Sequence, residues 1–195
     1  MNPLGLIYDT ETTGIPDWHS PSDSEHQPHI VQIAARLVDL ETRNTVQMID
    51  LIVRPAGWEI PQDVVDIHGI TTERAYEIGV PERVALDALL PLWQAAEVRI
   101  GHSENFDARI LRIALKRYYG DQLADAWKAG NAACTGRLGQ KAMQTGRRMP
   151  KLTEAYEHYL GEEYEGAHSA LADVDACMAV YFAMTDEQEK EPATA

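Results

Sequence analysis

Leu4-Gly5-Leu6-Ile7-Tyr8-Asp9-Thr10-Glu11-Thr12-Thr13-Gly14 reads as a buried β-strand that runs out into two carboxylates. The apolar run from Leu4 to Tyr8 has strand length, not helix length. In extended backbone, residues two apart face the same side, so Asp9 and Glu11 aim at one point. Like charges held so close raise one another's pKa, and without a cation one of them keeps its proton. A divalent ion removes that conflict, and an all-oxygen donor set suits Mg²⁺ or Mn²⁺ better than zinc. Two surface acids on a strand end would look the same. Alone, the motif leaves both readings open.

Outward from this strand, residues Ile15 to His29 form a polar, proline-containing loop that carries Trp18 and His19. Residues from His29 to Asp39 and from Val46 to Val53 read as two further strands, and their short connection favours an antiparallel meander. Short helices are expected over Pro61–His68 and Thr72–Ile78, and a longer one over Pro81–Ala96 with Pro81 in its first turn. A fourth strand at Val98–Gly101 leads into an amphipathic helix over Phe106–Tyr119, ended by Gly120. A fifth is expected at Ala132–Thr135, followed by helical stretches through Ala142 and over Leu152–Leu160. The final helix spans about Ser169 to Met184. Three strands followed by alternating helices and strands predict an α/β fold, a five-stranded mixed sheet flanked by helices. One domain over residues 1–185 and a polar tail over 186–195 complete the expected organisation.

The chain has 195 residues, 45% apolar and 25% charged, which fits an ordinary folded domain and excludes disorder or coiled coil. No apolar run approaches the roughly 20 residues of a membrane helix, and the first residues carry no basic leader pattern. Cys134 and Cys177 are too few for a disulfide scaffold or a cysteine zinc site, so a reducing cytoplasmic setting is expected. The net charge is −14, yet Arg109 to Lys151 holds ten Lys and Arg against two acids. Such a basic band on an acidic body suits a polyanion following one surface, and equally suits the solvated face of one helix.

Two more motifs end in an acid. Gly101-His102-Ser103-Glu104-Asn105-Phe106-Asp107 puts Asp107 at the opening of the mid-chain helix, where the helix dipole alone would favour it. Gly166-Ala167-His168-Ser169-Ala170-Leu171-Ala172-Asp173 puts Asp173 on the apolar stripe of the last helix, where a buried carboxylate needs a partner. His168 lies five residues earlier, about 140° round a helix, so it shares Asp173's direction only from the turn before the helix. Ser169 as N-cap and Gly166 as a hinge allow that.

Taken in order, the three motifs resemble the DEDDh subgroup of 3′→5′ exonucleases, the DnaQ-like family, from about Leu4 to Tyr181. His68-Gly69-Ile70-Thr71, Cys134-Thr135 and Lys151-Leu152 add to the likeness. The resemblance implies a ribonuclease H-like fold, with Asp9, Glu11, Asp107 and Asp173 holding two Mg²⁺ or Mn²⁺ ions and His168 as general base. It also implies that backbone N–H groups around Thr10 and Thr12 hold the terminal nucleotide, near His68, His102, Ser103 and Phe106. The family has Asn where this chain has Ser103, which alters a substrate-orienting contact. The loop over 15–29 is longer than usual, and its Trp18 either shapes the strand entrance or merely faces solvent.

The implied partner is the 3′ end of a nucleic acid, cut to nucleoside 5′-monophosphates. The DTETTG form favours DNA, expected single-stranded. An RNA exonuclease of the ribonuclease T or oligoribonuclease kind differs only in its contact to the 2′-hydroxyl, which the sequence does not reveal. A non-catalytic nucleic-acid-binding module of the same fold would tolerate loss of a motif acid. Here all four acids and the histidine are present.

Overall fold

In the computed structural model, which describes residues 2–164, 166 and 168–190, the opening strand runs through the carboxylate motif. Strand β1 spans Leu4–Thr12 and pairs antiparallel with β2 (Ile30–Asp39), which pairs antiparallel with β3 (Thr45–Arg54). Its other edge takes β5 (Val98–Gly101) in parallel, and β5 takes β6 (Ala132–Cys134), also in parallel. A two-residue strand, β4 (Val80–Pro81), lies parallel to Val53 and Arg54 of β3. The order across the sheet is β4-β3-β2-β1-β5-β6.

The sheet therefore has six strands where five were expected. β4 is too short to show a period, and Pro81, lacking an N–H, is tolerated because it sits on the sheet edge. Helices α1 (Gln62–His68) and α2 (Thr72–Ile78) follow β3, and α3 (Glu82–Ala95) follows β4. Next come α4 (Glu104–Tyr119), α5 (Asp121–Ala129), α6 (Thr135–Ala142), α7 (Leu152–Leu160) and α8 (Ala170–Lys190). Helix α5 was not foreseen, since nine residues give barely two turns of pattern. It is fixed by tertiary burial of Trp127, which is 0% exposed. The last helix runs on to Lys190, beyond the expected end near Met184; residues 191–195 of the expected tail lie outside the described residues.

Both faces of the central strands are covered, which is why β1 and β2 are apolar almost without alternation. Leu6, Tyr8, Ile33 and Ala35 pack against α3, α4 and α5 on one face. Ile7, Ala34, Val38 and Ile100 pack against Ala170, Val174 and Cys177 of α8 on the other. Asp9 and Glu11 continue the α8 side of β1, and Thr10 continues the α4 side. Among the described residues no helix is long and apolar enough to cross a membrane.

Helix α6 approaches the junction of β5 and α4 closely. Gly136 donates its N–H to the His102 carbonyl at 3.1 Å. A Cβ at Gly136 would lie 2.6 Å from that oxygen and 2.7 Å from Met149 Sδ. Gly136→Ala is expected to lower stability by about 1–3 kcal/mol, through forced movement of packed backbone. The check is a lower urea midpoint with an unchanged slope of the transition.

Candidate active site

The site begins where β1 leaves the sheet. A register shift against β2 falls between Glu11 and Thr12, at the end that carries the acids. On the α4 side, Thr10 donates its N–H (3.0 Å) and its hydroxyl (2.7 Å) to Asp107 Oδ1. These bonds pin the first turn of α4 to the strand end. A second tie lies one turn away. Buried Glu104 accepts from the Tyr8 hydroxyl at 3.0 Å and pairs with buried Arg99 at 3.2 Å. The Arg99 guanidinium in turn lies 4.2 Å from the centre of the Trp127 ring.

On the other face, β2 seats the start of α8. Gln32 accepts the Ala170 N–H at 3.2 Å, which occupies one of the orphan donors of the first turn. Arg36 grips Asp175 through two hydrogen bonds of 2.5 and 3.0 Å. Asp173 is thereby turned towards β1. One carboxylate oxygen from each of Asp9, Glu11 and Asp173 lies within 4.8 Å of the others. Asp107 joins from the α4 side, close enough to repel Asp9. The four motif acids converge.

His168 lies in the turn before α8, with φ +72°, a left-handed conformation unusual for a non-glycine residue. Asp173 holds that turn by accepting the His168 N–H at 3.2 Å. Its other oxygen accepts from the Tyr164 hydroxyl at 2.8 Å. Tyr164 was missed from sequence, because nothing in a nine-residue separation across Gly166 ties it to Asp173. With Asp9, Ser103, Lys151, His168 and Asp173, it lines a cleft of about 510 Å³.

Among the described residues no Lys or Arg forms a salt bridge with these acids, and their proton affinities reflect it. Asp9 is pushed well above the usual carboxylate range by burial and then by Asp107, Asp173 and Glu11. Glu11 is pushed up to about 7 by burial and Asp173. Asp107 also rises to about 7 through burial, against the pull of its two Thr10 bonds. Burial raises Asp173 as well, opposed by the Tyr164 hydroxyl and the His168 N–H. Clustered carboxylates with raised pKa and no salt bridge to Lys or Arg are what a hard divalent ion stabilises.

The other expected contact residues divide into free and engaged groups. Both ring nitrogens of His102 are used internally: Nε2 donates to the Pro150 carbonyl (2.8 Å), leaving Nδ1 to accept from the Thr135 hydroxyl (3.0 Å). Burial lowers its pKa, which keeps that neutral form. Thr10 has given its N–H and hydroxyl to Asp107, and Thr12 directs its hydroxyl to the Gly14 carbonyl at 2.8 Å. Ser103 is exposed and makes no capping bond, so its hydroxyl faces the cleft unused. Phe106 is half-buried against the α4-side core. His68 Nδ1 accepts the Ile70 N–H at 3.1 Å, while its Nε2 is buried without a well-formed hydrogen bond. His68 lies near enough to His168 for the two to repel when charged.

The basic band of α4 is largely occupied. Lys116 pairs with Asp23 and Asp121, Arg117 with Glu82, and Arg112 with Asp125. Arg109 and Arg117 also donate to carbonyls of the 15–29 loop. Much of the band therefore holds that loop against the helix.

A family model described as exonuclease (RNase_T) matches residues 6–181. No curated protein matches the chain significantly. Among solved structures, Escherichia coli exonuclease I in complex with a dT13 oligonucleotide superposes with TM-score 0.75 at 22% identity, over 97% of this chain and 42% of that one. The zinc-bound form of the exonuclease I–ssDNA complex gives 0.74 at 22%, with the same coverage. The nuclease domain of 3′hExo, a DEDDh family member, bound to rAMP, gives 0.67 at 16% over 97% of this chain and 94% of that domain. The chain thus spans less than half the length of exonuclease I, while matching the 3′hExo domain almost end to end. With this family model matched over most of its length, the chain belongs to the exonuclease family, and its fold is similar to that of a DEDDh family member.

Proposed function

We propose that this protein is a metal-dependent 3′→5′ exonuclease that releases nucleoside 5′-monophosphates from the 3′ end of single-stranded DNA. The observation that carries the reading is the convergence of Asp9, Glu11 and Asp173 within 4.8 Å, with Asp107 held beside them by Thr10. This all-carboxylate set suits two Mg²⁺ or Mn²⁺ ions, with Asp9, Glu11, Asp107 and Asp173 as their ligands. When bound, divalent ions supply charge neutralisation at the scissile phosphate and acidify water for attack.

The protein's own groups do the rest. His168, exposed at the cleft and set in direction by the Asp173 bond to its backbone, takes the proton from the attacking water as general base. Tyr164 and the His168 N–H hold the two oxygens of Asp173, so that its carboxylate plane is fixed before substrate arrives. Ser103 and Lys151 line the same cleft and are placed to meet sugar or phosphate. Structural neighbours solved with single-stranded DNA support a DNA substrate. A neighbour bound to rAMP supports the second reading, an RNA 3′ end.

Matched 3′- and 5′-labelled strands of DNA and RNA, single- and double-stranded, test the reading directly. Mononucleotide release from the 3′ end of single-stranded DNA with Mg²⁺ or Mn²⁺, abolished by chelator, is expected. Asp9→Ala should lose both metal binding and turnover; unchanged degradation of a 3′-labelled strand would refute the assignment. His168→Ala should lower kcat about 10²- to 10⁴-fold while metal and DNA binding persist.

The raised carboxyl pKa values also predict how the metal-free protein responds to pH. Glu11 titrates near 7 when folded, above the 4.5 of a free side chain. Its stabilising contribution as a neutral group is complete below pH 4.5 and is lost as pH rises through 7. Glu11→Gln should therefore raise the melting temperature of the chelated protein by several degrees at pH 8, at most about 3 kcal/mol, and by nothing near pH 4.5. Mg²⁺ should stabilise the wild type more at pH 8 than at pH 5, as read by thermal melts.

A further inference from the structure

The segment over 15–29 has neither strand nor helix, yet its own polar groups fix it. Gln27, 2% exposed, accepts the Asp17 N–H at 3.1 Å and donates to the carbonyls of Asp17 (2.9 Å) and Pro21 (3.0 Å). The Asp17 carboxylate accepts the His19 N–H at 2.9 Å and the Ser20 hydroxyl at 2.6 Å. From α4, Arg109 donates to Ser22 Oγ at 2.7 Å and to the Ser20 carbonyl at 2.6 Å. In the middle of this clamp stands Trp18, 54% exposed. A large apolar ring held in solvent by ordered neighbours presents a face on which another ring can stack.

Trp18 faces a cleft of about 420 Å³ between the loop, α4 and the α5–β6 connection. Four cations line it (Arg99, Arg109, Arg112 and Lys128) against a single acid, Glu104, in a chain whose net charge is −14. Arg99 is matched by Glu104 and Arg112 by Asp125. The guanidinium of Arg109 hydrogen-bonds only neutral oxygens, and Lys128 is exposed. Among the described residues, the buried Nε–H groups of Arg99, Arg109 and Arg112 find no acceptor. Asn105 and Ala108, which flank Asp107 on the same turn of α4, also line the cleft. At about 1.5 Å per residue, Arg109 stands about 3 Å and Arg112 about 7.5 Å further along the axis of α4 than Asp107, and at about 100° per residue both point away from the side that carries Asp107.

We propose that this cleft is an upstream contact for the single strand, in which a base stacks on Trp18 and the adjoining phosphates meet Lys128 and Arg109. It rests on the exonuclease reading and extends it to nucleotides 5′ of the bond that is cut. Stacking accepts any base, and the cations accept the backbone, so the contact favours single strands over a rigid duplex without selecting sequence.

Trp18 and Lys128 are exposed, so their replacement leaves the core intact. Trp18→Ala should reduce the preference for a twelve-nucleotide strand over a dinucleotide, measured as the ratio of kcat/KM, about tenfold. Lys128→Glu should make binding of the longer strand less salt-dependent, lowering the slope of log K against log salt by about one or more. In a His168→Ala background, dT12 should quench tryptophan emission, and Trp18→Phe should abolish that quench. The quench reports stacking whether or not the strand is cut, which separates this proposal from the exonuclease reading. An unchanged length preference, or a quench that survives Trp18→Phe, overturns it. Capture of an acidic peptide by the cleft in place of the oligonucleotide overturns it equally.

Discussion

Everything in this structure is arranged around the mutual repulsion of four carboxylates that the fold forces together. Bringing Asp9, Glu11 and Asp173 within 4.8 Å opposes folding while the acids are charged, and among the described residues none of the three has a salt bridge to Lys or Arg. What holds them is neutral or lies one residue further out. Thr10 fastens Asp107, Gln32 and Arg36 fasten the first turn of α8, and the Tyr164 hydroxyl takes one oxygen of Asp173. The scaffold is therefore built rigid around an unsatisfied charge. A bound cation would relieve that repulsion.

Positive charge is used elsewhere, and in a different way. The arginines and lysine of α4 that form a basic run in the sequence are mostly turned towards the 15–29 loop and towards Glu82. Glu82 is itself buried, accepts the Ile30 N–H at 3.0 Å and meets His29, whose ring stacks on Trp58 at 4.6 Å. A buried acid of this kind tolerates burial only because Arg117 and backbone donors compensate it. These contacts set the entry of β2, and so the register that places Gln32 opposite Glu11. A charge pattern that reads as a surface for polyanions is thus in large part a brace for the sheet, leaving Arg109 and Lys128 beside Trp18 as its outward remainder.

Much of this was legible from the chain alone. The strand-to-acid motif at Leu4–Gly14, the meander, the helix opening at Asp107 and the apolar stripe carrying Asp173 all follow from two- and three-to-four-residue periods, which are local properties. So does the placement of His168 in the turn before α8, since no helical position could have let it share a direction with Asp173. Local patterns failed where an element is too short to show a period. The strand at Val80–Pro81 and the nine-residue helix around Trp127 exist because neighbouring elements cover them.

Residue identity and order establish which side chains carry charge, which faces are apolar, and how the motif acids follow one another. Folding in three dimensions makes His102 a neutral internal brace, brings Tyr164 to Asp173, and turns the α4 cations onto a loop. The physical reason is range. Periodicity and capping act over a few residues, whereas each of these outcomes depends on a hydrogen bond or ion pair whose partner is set by packing of distant elements.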